Sequence, residues 1–387
     1  MSRPVKNVAI LGSTGSIGRS TLEVLAGSNG RLRAIALSAH TRLDRLVEQA
    51  QVVRPRWVIG TDTDRNNRFN WDQLPEGTLW LDGQKGVEQA VSHELVDVVV
   101  AAMVGSAGLR GTWAALRAGK RVALANKETL VMAGPLAMQL ANQCGATILP
   151  VDSEHSAIFQ ALQAGNRRDV RRIVLTASGG PFRNCTREQL EQVTVADALS
   201  HPTWEMGPKI SVDSATMMNK ALEIIEARWL FQLDAHQIDV VVHPQSVVHS
   251  MVEFADGSVI AQLSTPDMRL PIQYALDYPD RLAGVAERID WSSAQRFDFE
   301  PPDFERFPAL EMGLEVARSG GTSGAVLNAA NEVAVAEFLQ GNLKFMDIVS
   351  ICGRVLHAHD FDPSPSLDQL IAIDRWARQE VSRWVGR

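Results

Sequence analysis

Val8-Ala9-Ile10-Leu11-Gly12-Ser13-Thr14-Gly15-Ser16-Ile17-Gly18 runs from a short apolar strand, through a glycine-spaced turn, into a helical pattern that starts near Ser16. Glycines allow a tight turn and close approach of the backbone. The free N–H groups and the dipole at the helix start then favour a pyrophosphate. The spacing is G-x-x-G-x-x-G and not the commoner G-x-G-x-x-G, and alone it also suits a plain tight βα turn. Strand, turn and helix in that order read as the opening of a nucleotide-binding βαβ unit.

The same alternation continues outward from this stretch. Apolar runs at Arg33–Leu37, Arg56–Ile59, Val96–Ala102, Arg121–Ala125 and Ala146–Val151 are separated by helical patterns. Near-continuous apolar strands divided by helices predict a parallel sheet covered on both faces. After residue 150 the pattern changes. Strand signals at Arg172–Thr176, Val240–Val242, Ser246–Phe254 and Ser258–Leu263 predict a second, mixed or antiparallel sheet, with Asp256-Gly257 as a hairpin turn. Turn residues from Pro279 to Asp303 read as a linker. Helical spacing then recurs in Ala309–Ala317, Ser323–Leu339, Phe345–His357 and Leu367–Val385. The expected class is α/β: an N-terminal Rossmann-like parallel sheet (1–150), a central α+β domain (151–278), a linker (279–303) and a C-terminal helical domain (304–387).

At 387 residues the chain exceeds one ordinary core. Hydrophobic content of 45% with 21% charged residues is that of a globular protein in water. A net charge of −7 argues against a nucleic-acid binder but allows anionic small molecules, which need only a local cluster of cations. Cys144, Cys185 and Cys352 lack C-x-x-C spacing and suggest a reducing compartment, with neither disulfides nor a zinc site. No apolar run reaches membrane-spanning length. Met1-Ser2-Arg3-Pro4 leads straight into a strand without a signal-peptide core, so a cytoplasmic protein is expected.

Several segments carry chemistry. Leu37-Ser38-Ala39-His40-Thr41-Arg42 ends the second strand without the Asp or Glu that would bind an NAD ribose. Its hydroxyl, imidazole and guanidinium favour NADP, although Arg42 also suits a solvated helix start. Asn126-Lys127-Glu128 follows one strand of the sheet and Asp152-Ser153-Glu154 follows another. In an extended strand Asp152 and Glu154 point to one side, and a hard divalent cation resolves the repulsion between them. A solvated strand end is the ordinary reading of such a pair in isolation. In Val212–Trp229, Asp213 or Ser214 is placed to cap a helix, and Asn219, Lys220 and Glu223 share one of its faces. That grouping suits a phosphorylated polyol and a metal; a plain Lys–Glu surface pair is the alternative. Ser178-Gly179-Gly180 forms another strand end. His201-Pro202-Thr203-Trp204-Glu205-Met206-Gly207-Pro208-Lys209 reads as a lid that excludes water.

Together these motifs resemble the 1-deoxy-D-xylulose 5-phosphate reductoisomerase family. The resemblance rests on Gly12–Gly18, Leu124–Glu128, Val151–His155, Ser178–Arg183, Lys209–Lys220, His243-Pro244-Gln245-Ser246 and Asn328-Ala329-Ala330-Asn331-Glu332, in order through essentially the whole chain. It implies a homodimeric NADPH-dependent enzyme of the non-mevalonate isoprenoid pathway, taking a small phosphorylated sugar. The substrate's carbon skeleton rearranges and is reduced to 2-C-methyl-D-erythritol 4-phosphate. Asp152, Glu154 and Glu223 would hold Mg²⁺ or Mn²⁺. Lys127, Ser153, Ser178, His201, Ser214, Asn219 and Lys220, with Glu154 and Glu223, would contact the substrate, and Trp204 would close over it. Thr14, Gly15, Ser16, Ile17, Asn126, Glu128 and Gly207 would contact NADPH. Ala39-His40-Thr41 stands near its 2′-phosphate, where the family often has a Gly-Lys-Asn-like stretch. A substrate-facing Ser153 also implies that residues 152–154 form a turn just past the strand and not a regular strand.

Two rivals stay open at this level. An ordinary NADP-dependent dehydrogenase of a metal-chelated hydroxy acid shares the Rossmann half but does not need Ser214, Asn219 and Lys220. A nucleotide-sensing binding protein needs no carboxylate triad.

Overall fold

The computed structural model describes residues 4–201, 204 and 206–386. The chain divides into two compact units. One comprises residues up to 129, 137–156 and 267–287; the other comprises 130–136, 157–266 and 288 onward.

Among the described residues, the first unit has seven strands: β1 (Lys6–Leu11), β2 (Leu32–Ala39), β3 (Trp57–Gly60), β4 (Leu79–Asp82), β5 (Val98–Ala101), β6 (Arg121–Leu124) and β7 (Thr147–Pro150). They form one sheet in the order β4-β3-β2-β1-β5-β6-β7, and every pairing is parallel. The central strands are almost free of solvent, which is why they read as unbroken apolar runs: Val8, Ala9, Ile10, Val99 and Val100 are fully buried. β4 escapes that reading. It is an edge strand of only four residues, Leu79-Trp80-Leu81-Asp82, with Leu79 and Trp80 exposed and the turn residues Pro75, Glu76 and Gly77 just before it. Because all strands are parallel, the loops after β1, β2, β5, β6 and β7 leave from one edge of the sheet. The order reverses between β1 and β5, where doubly wound sheets bind ligands.

The segment 267–287 also belongs to this unit. Its helix Arg269–Asp277 is tied down by Lys6 Nζ donating to Leu276 O (2.9 Å), by the Arg31–Asp277 ion pair (2.7 Å) and by Arg121 Nη1 donating to Tyr278 O (2.9 Å).

In the second unit β8 (Val170–Ala177), β9 (Ile238–Val242), β10 (Val248–Phe254) and β11 (Val259–Leu263) form a mixed sheet in the order β11-β10-β8-β9. β8 runs parallel to β9 and antiparallel to β10, and the Asp256-Gly257 hairpin joins β10 to β11, with Gly257 at φ 87°. The helices Ala309–Ser319, Ser323–Leu339, Phe345–Ala358 and Leu367–Val385 match the expected spans. They cluster with this sheet instead of standing apart as a domain over 304–387. The reason is a close helix crossing: a Cβ added at Gly313 would sit 2.7 Å from Ala221 Cα on the buried helix Met218–Phe231. Much of the 279–303 stretch is irregular, and Glu300 bridges to Val242. Among the described residues no helix is long and apolar enough to cross a membrane.

The loop after β1 depends on its glycines. Gly12 lies at φ +83°, and a Cβ there would meet the Ala102 carbonyl oxygen after β5 at 2.6 Å; a Cβ at Gly18 would meet Gly12 O at 2.4 Å. Gly12→Ala combines left-handed strain with a backbone clash and is expected to destabilise the protein by about 1–3 kcal/mol. A urea-unfolding midpoint equal to that of the unsubstituted chain would refute this account of the loop.

Candidate active site

In the first unit, the loop 12–18 is fixed from below. Gly12 N–H donates to Ser38 Oγ (3.0 Å), Ser13 N–H donates to Ser38 O (2.8 Å) and Ser13 Oγ donates to Gln49 Oε1 (2.7 Å). Ser13 is thus consumed by the scaffold. Helix Ser16–Ala26 starts at Gly15 with no side-chain cap and no acid in its first turn. The amides around Thr14, Gly15, Ser16 and Ile17 therefore suit an anion. Arg42 Nη1 donates to Thr14 O (3.1 Å), so this guanidinium also braces the loop. His40 Nδ1 lies 3.0 Å from Thr61 Oγ1, and Ala39 ends β2. Beside Thr41 opens a cavity of about 570 Å³, lined also by Leu43, Asp62, Arg65, Arg68 and Phe69. Arg65 and Arg68 were not singled out from the sequence, because nothing in their spacing connects them with residues 39–41.

Asn126 joins the ends of two strands. Its Nδ2 donates to Met103 O (2.6 Å) and Gly105 O (3.0 Å) after β5, and to Glu128 Oε2 (2.9 Å). Lys127 follows, buried, with Nζ 2.9 Å from Asp152 Oδ2 after β7. Strand alternation does not pair Asp152 with Glu154. β7 ends at Pro150, Asp152 lies in a bend, and Ser153 opens the helix Ser153–Ala161. The expected turn past the strand is in fact a strand-to-helix junction. Asp152 and Glu154 still bring a carboxylate oxygen each within 4.8 Å of one another. Ser153 Oγ donates to Glu154 Oε2. His155, fully buried, places Nδ1 3.6 Å from Asp152 Oδ1. It was read only as the end of the motif, since burial is not visible in the sequence.

In the second unit, Glu223 is wholly buried on the helix Met218–Phe231. Asn219 Nδ2 donates to its Oε1 (2.6 Å) and Lys220 Nζ pairs with its Oε2. The shared face expected from i,i+3 and i,i+4 spacing is present, and with Lys220 only 3% exposed it is not a surface pair. The capping expectation fails. Asp213 and Ser214 lie inside the preceding helix Pro208–Ala215, and Met217, at φ 61°, caps the next one. A left-handed methionine carries no sequence signal for that role.

Gly180 (φ +65°) approaches so closely that a Cβ would sit 2.6 Å from Ser214 O, which packs the Ser178 loop against Ser214. Trp204 N–H donates to His201 Nδ1 (2.9 Å), so the ring hydrogen is on Nε2, 3.1 Å from Ser178 Oγ. Burial holds the His201 pKa below its ordinary value, which keeps the ring neutral. Of the expected lid, Pro202, Thr203 and Glu205 lie outside the described residues; Gly207 is exposed and caps helix Pro208–Ala215.

The chain is similar to known proteins over nearly its whole length. Residues 8–134 match the model of 1-deoxy-D-xylulose 5-phosphate reductoisomerase, 148–231 that of its C-terminal domain, and 263–380 that of the DXP reductoisomerase C-terminal domain. A 1-deoxy-D-xylulose 5-phosphate reductoisomerase of Heliobacterium modesticaldum is 51% identical over 99% of this chain and 98% of its own, and one of Methylobacillus flagellatus is 50% identical over 98% of each. Among solved structures, the reductoisomerase of Zymomonas mobilis in complex with NADPH superposes with a TM-score of 0.91 at 43% identity, covering 99% of both chains. A DOX-P reductoisomerase in complex with NADPH, fosmidomycin and magnesium gives 0.92 at 41% identity, over 99% of this chain and 98% of that one. On sequence and fold alike, the chain belongs to the 1-deoxy-D-xylulose 5-phosphate reductoisomerase family.

Proposed function

We propose that this chain rearranges and reduces 1-deoxy-D-xylulose 5-phosphate to 2-C-methyl-D-erythritol 4-phosphate with NADPH and a divalent metal ion. The full-length family match carries this reading. Solved relatives contain NADPH, magnesium and fosmidomycin. The residues present fit these groups. Asp152, Glu154 and Glu223 offer only carboxylate oxygens, the donor set of a hard cation such as Mg²⁺ or Mn²⁺. The uncapped helix start at Gly15 fits a pyrophosphate. When bound, the ion would polarise the substrate's oxygens and NADPH would supply the hydride.

The remaining roles follow from the side chains. Lys127, held beside Asp152, stabilises negative charge developing on a substrate oxygen. Neutral His201 donates to Ser178 Oγ and leaves that hydroxyl's own proton free to donate to the substrate. Ser153, Ser214, Asn219 and Lys220 supply hydroxyl, amide and ammonium donors for a phosphorylated polyol. Trp204 closes over it and excludes water. Thr14, Gly15, Ser16, Ile17, Asn126, Glu128 and Gly207 contact NADPH, with Ala39-His40-Thr41 toward its 2′-phosphate. In domain terms, residues 1–150 bind the cofactor and 151–278 carry catalysis, while 279–303 connects them in sequence to the helices of 304–387, which cluster with the second unit. The enzyme works as a cytoplasmic homodimer; three cysteines without a disulfide fit a reducing compartment.

Incubated with 1-deoxy-D-xylulose 5-phosphate, Mn²⁺ and NADPH, the protein should consume the reduced nicotinamide's absorbance, and a chelator should stop it. No oxidation would sink the assignment and leave the dehydrogenase or sensor reading. Glu223→Gln should lower kcat by about 10²-fold or more and weaken Mn²⁺ binding seen by electron paramagnetic resonance. NADPH affinity should stay within about twofold, since its contacts lie elsewhere. Loss of NADPH binding as well would contradict a separate metal role for Glu223.

A further inference from the structure

Asn328-Ala329-Ala330-Asn331-Glu332 has no part in the chemistry above. It lies on the helix Ser323–Leu339, with Asn328 and Asn331 fully buried. Asn331 Nδ2 donates to Asp213 Oδ1 at 2.8 Å, across a sequence separation of 118 residues. The other oxygen, Asp213 Oδ2, pairs with Lys209 Nζ at 2.7 Å. Asp213 is 1% exposed, so this carboxylate is held from both sides out of water.

The place of Asp213 gives the contact its meaning. It sits in helix Pro208–Ala215, which begins straight after Gly207, where the Trp204 segment ends, and which carries Ser214. Met217 then turns the chain into the helix bearing Asn219, Lys220 and Glu223. The amide is presented from a braced helix. Glu332, next to Asn331, accepts from Asn328 Nδ2 (2.9 Å) and pairs with Arg378 (2.6 Å), which also binds Asp374 on the last helix (2.8 Å). Buried hydrogen bonds to a charged group are directional and costly to leave unmade. An apolar contact would permit the helix Pro208–Ala215 to slide; this one fixes its position.

We propose that Asn331 is a positioning residue. Through Asp213 it sets the helix that carries Ser214 and forms the fixed end of the Trp204 segment, so the C-terminal helices tune substrate binding without touching substrate. This rests on the reading of Ser214 as a substrate contact.

The test compares unsubstituted enzyme, Asn331→Ala, the swap Asn331→Asp with Asp213→Asn, and Ser214→Ala. Asn331→Ala should raise KM for 1-deoxy-D-xylulose 5-phosphate about tenfold with kcat and NADPH affinity little changed, the signature of lost uniform binding. The swap restores the amide–carboxylate hydrogen bond while taking the carboxylate from Lys209, so it should recover part of the KM. A purely structural role would lower the active fraction, and hence kcat, at constant KM. A folded Asn331→Ala with unaltered KM, or a folded swap with no recovery, overturns the proposal. If Asn331→Ala does not fold, Asn331→Ser, too short to reach Asp213, takes its place with the same two outcomes. Failure of the unsubstituted enzyme to turn over would instead count against the reductoisomerase reading, and an unaltered KM in Ser214→Ala against Ser214 as a substrate contact.

Discussion

A carboxylate removed from water stays ionised only beside a compensating charge and with its lone pairs satisfied. The shielded carboxylates at and beside the candidate site each have such a partner: Asp152 has Lys127, Glu223 has Lys220, and Asp213 has Lys209. Each lysine is placed by local structure. Lys127 caps the helix Glu128–Cys144, Lys220 lies one turn before Glu223, and Lys209 one turn before Asp213. Each carboxylate is therefore paired with a lysine and largely shielded from water at once. Removing one member of such a pair leaves a buried charge uncompensated, which costs more than the pair contributes.

Much of this was legible in the sequence wherever short-range rules decide the outcome. Six of the seven parallel strands are apolar runs because both faces of the sheet are covered. β4 is the exception: its apolar run is only Leu79-Trp80-Leu81, too short beside the turn residues before it to stand out as a strand. Asn219, Lys220 and Glu223 fall on one face by helical spacing alone. What stayed hidden needs distance or burial. Asp213 and Asn331 meet across 118 residues, and His155 reads as a motif end until its full burial is known. The domain pattern was hidden for the same reason: the helix Arg269–Asp277 joins the first unit through contacts to Lys6, Arg31 and Arg121 that nothing local announces.

The places where the chain departs from ordinary local propensity share a physical character. Gly15 starts a helix without a capping side chain, whereas Ser366 and Gln369 cap the last helix reciprocally. Glycine at this position costs only a few tenths of a kcal/mol relative to a capping side chain, and it leaves the amides open to an anion. Met217 adopts a left-handed conformation at a cost of order 1 kcal/mol or more, and the turn it makes starts the helix that holds Asn219, Lys220 and Glu223. The Asp152–Glu154 segment breaks strand alternation, and by entering a helix it brings both carboxylates to the end of β7. Strain and uncapped ends persist only where the surrounding structure over-determines them. Here the buried parallel strands supply that surplus for Gly15 and Asp152, and the helix Met218–Phe231 packed on Gly313 supplies it for Met217. These strained and uncapped positions gather at the candidate site, as expected where a chain presents polar groups to a ligand at the expense of local propensity.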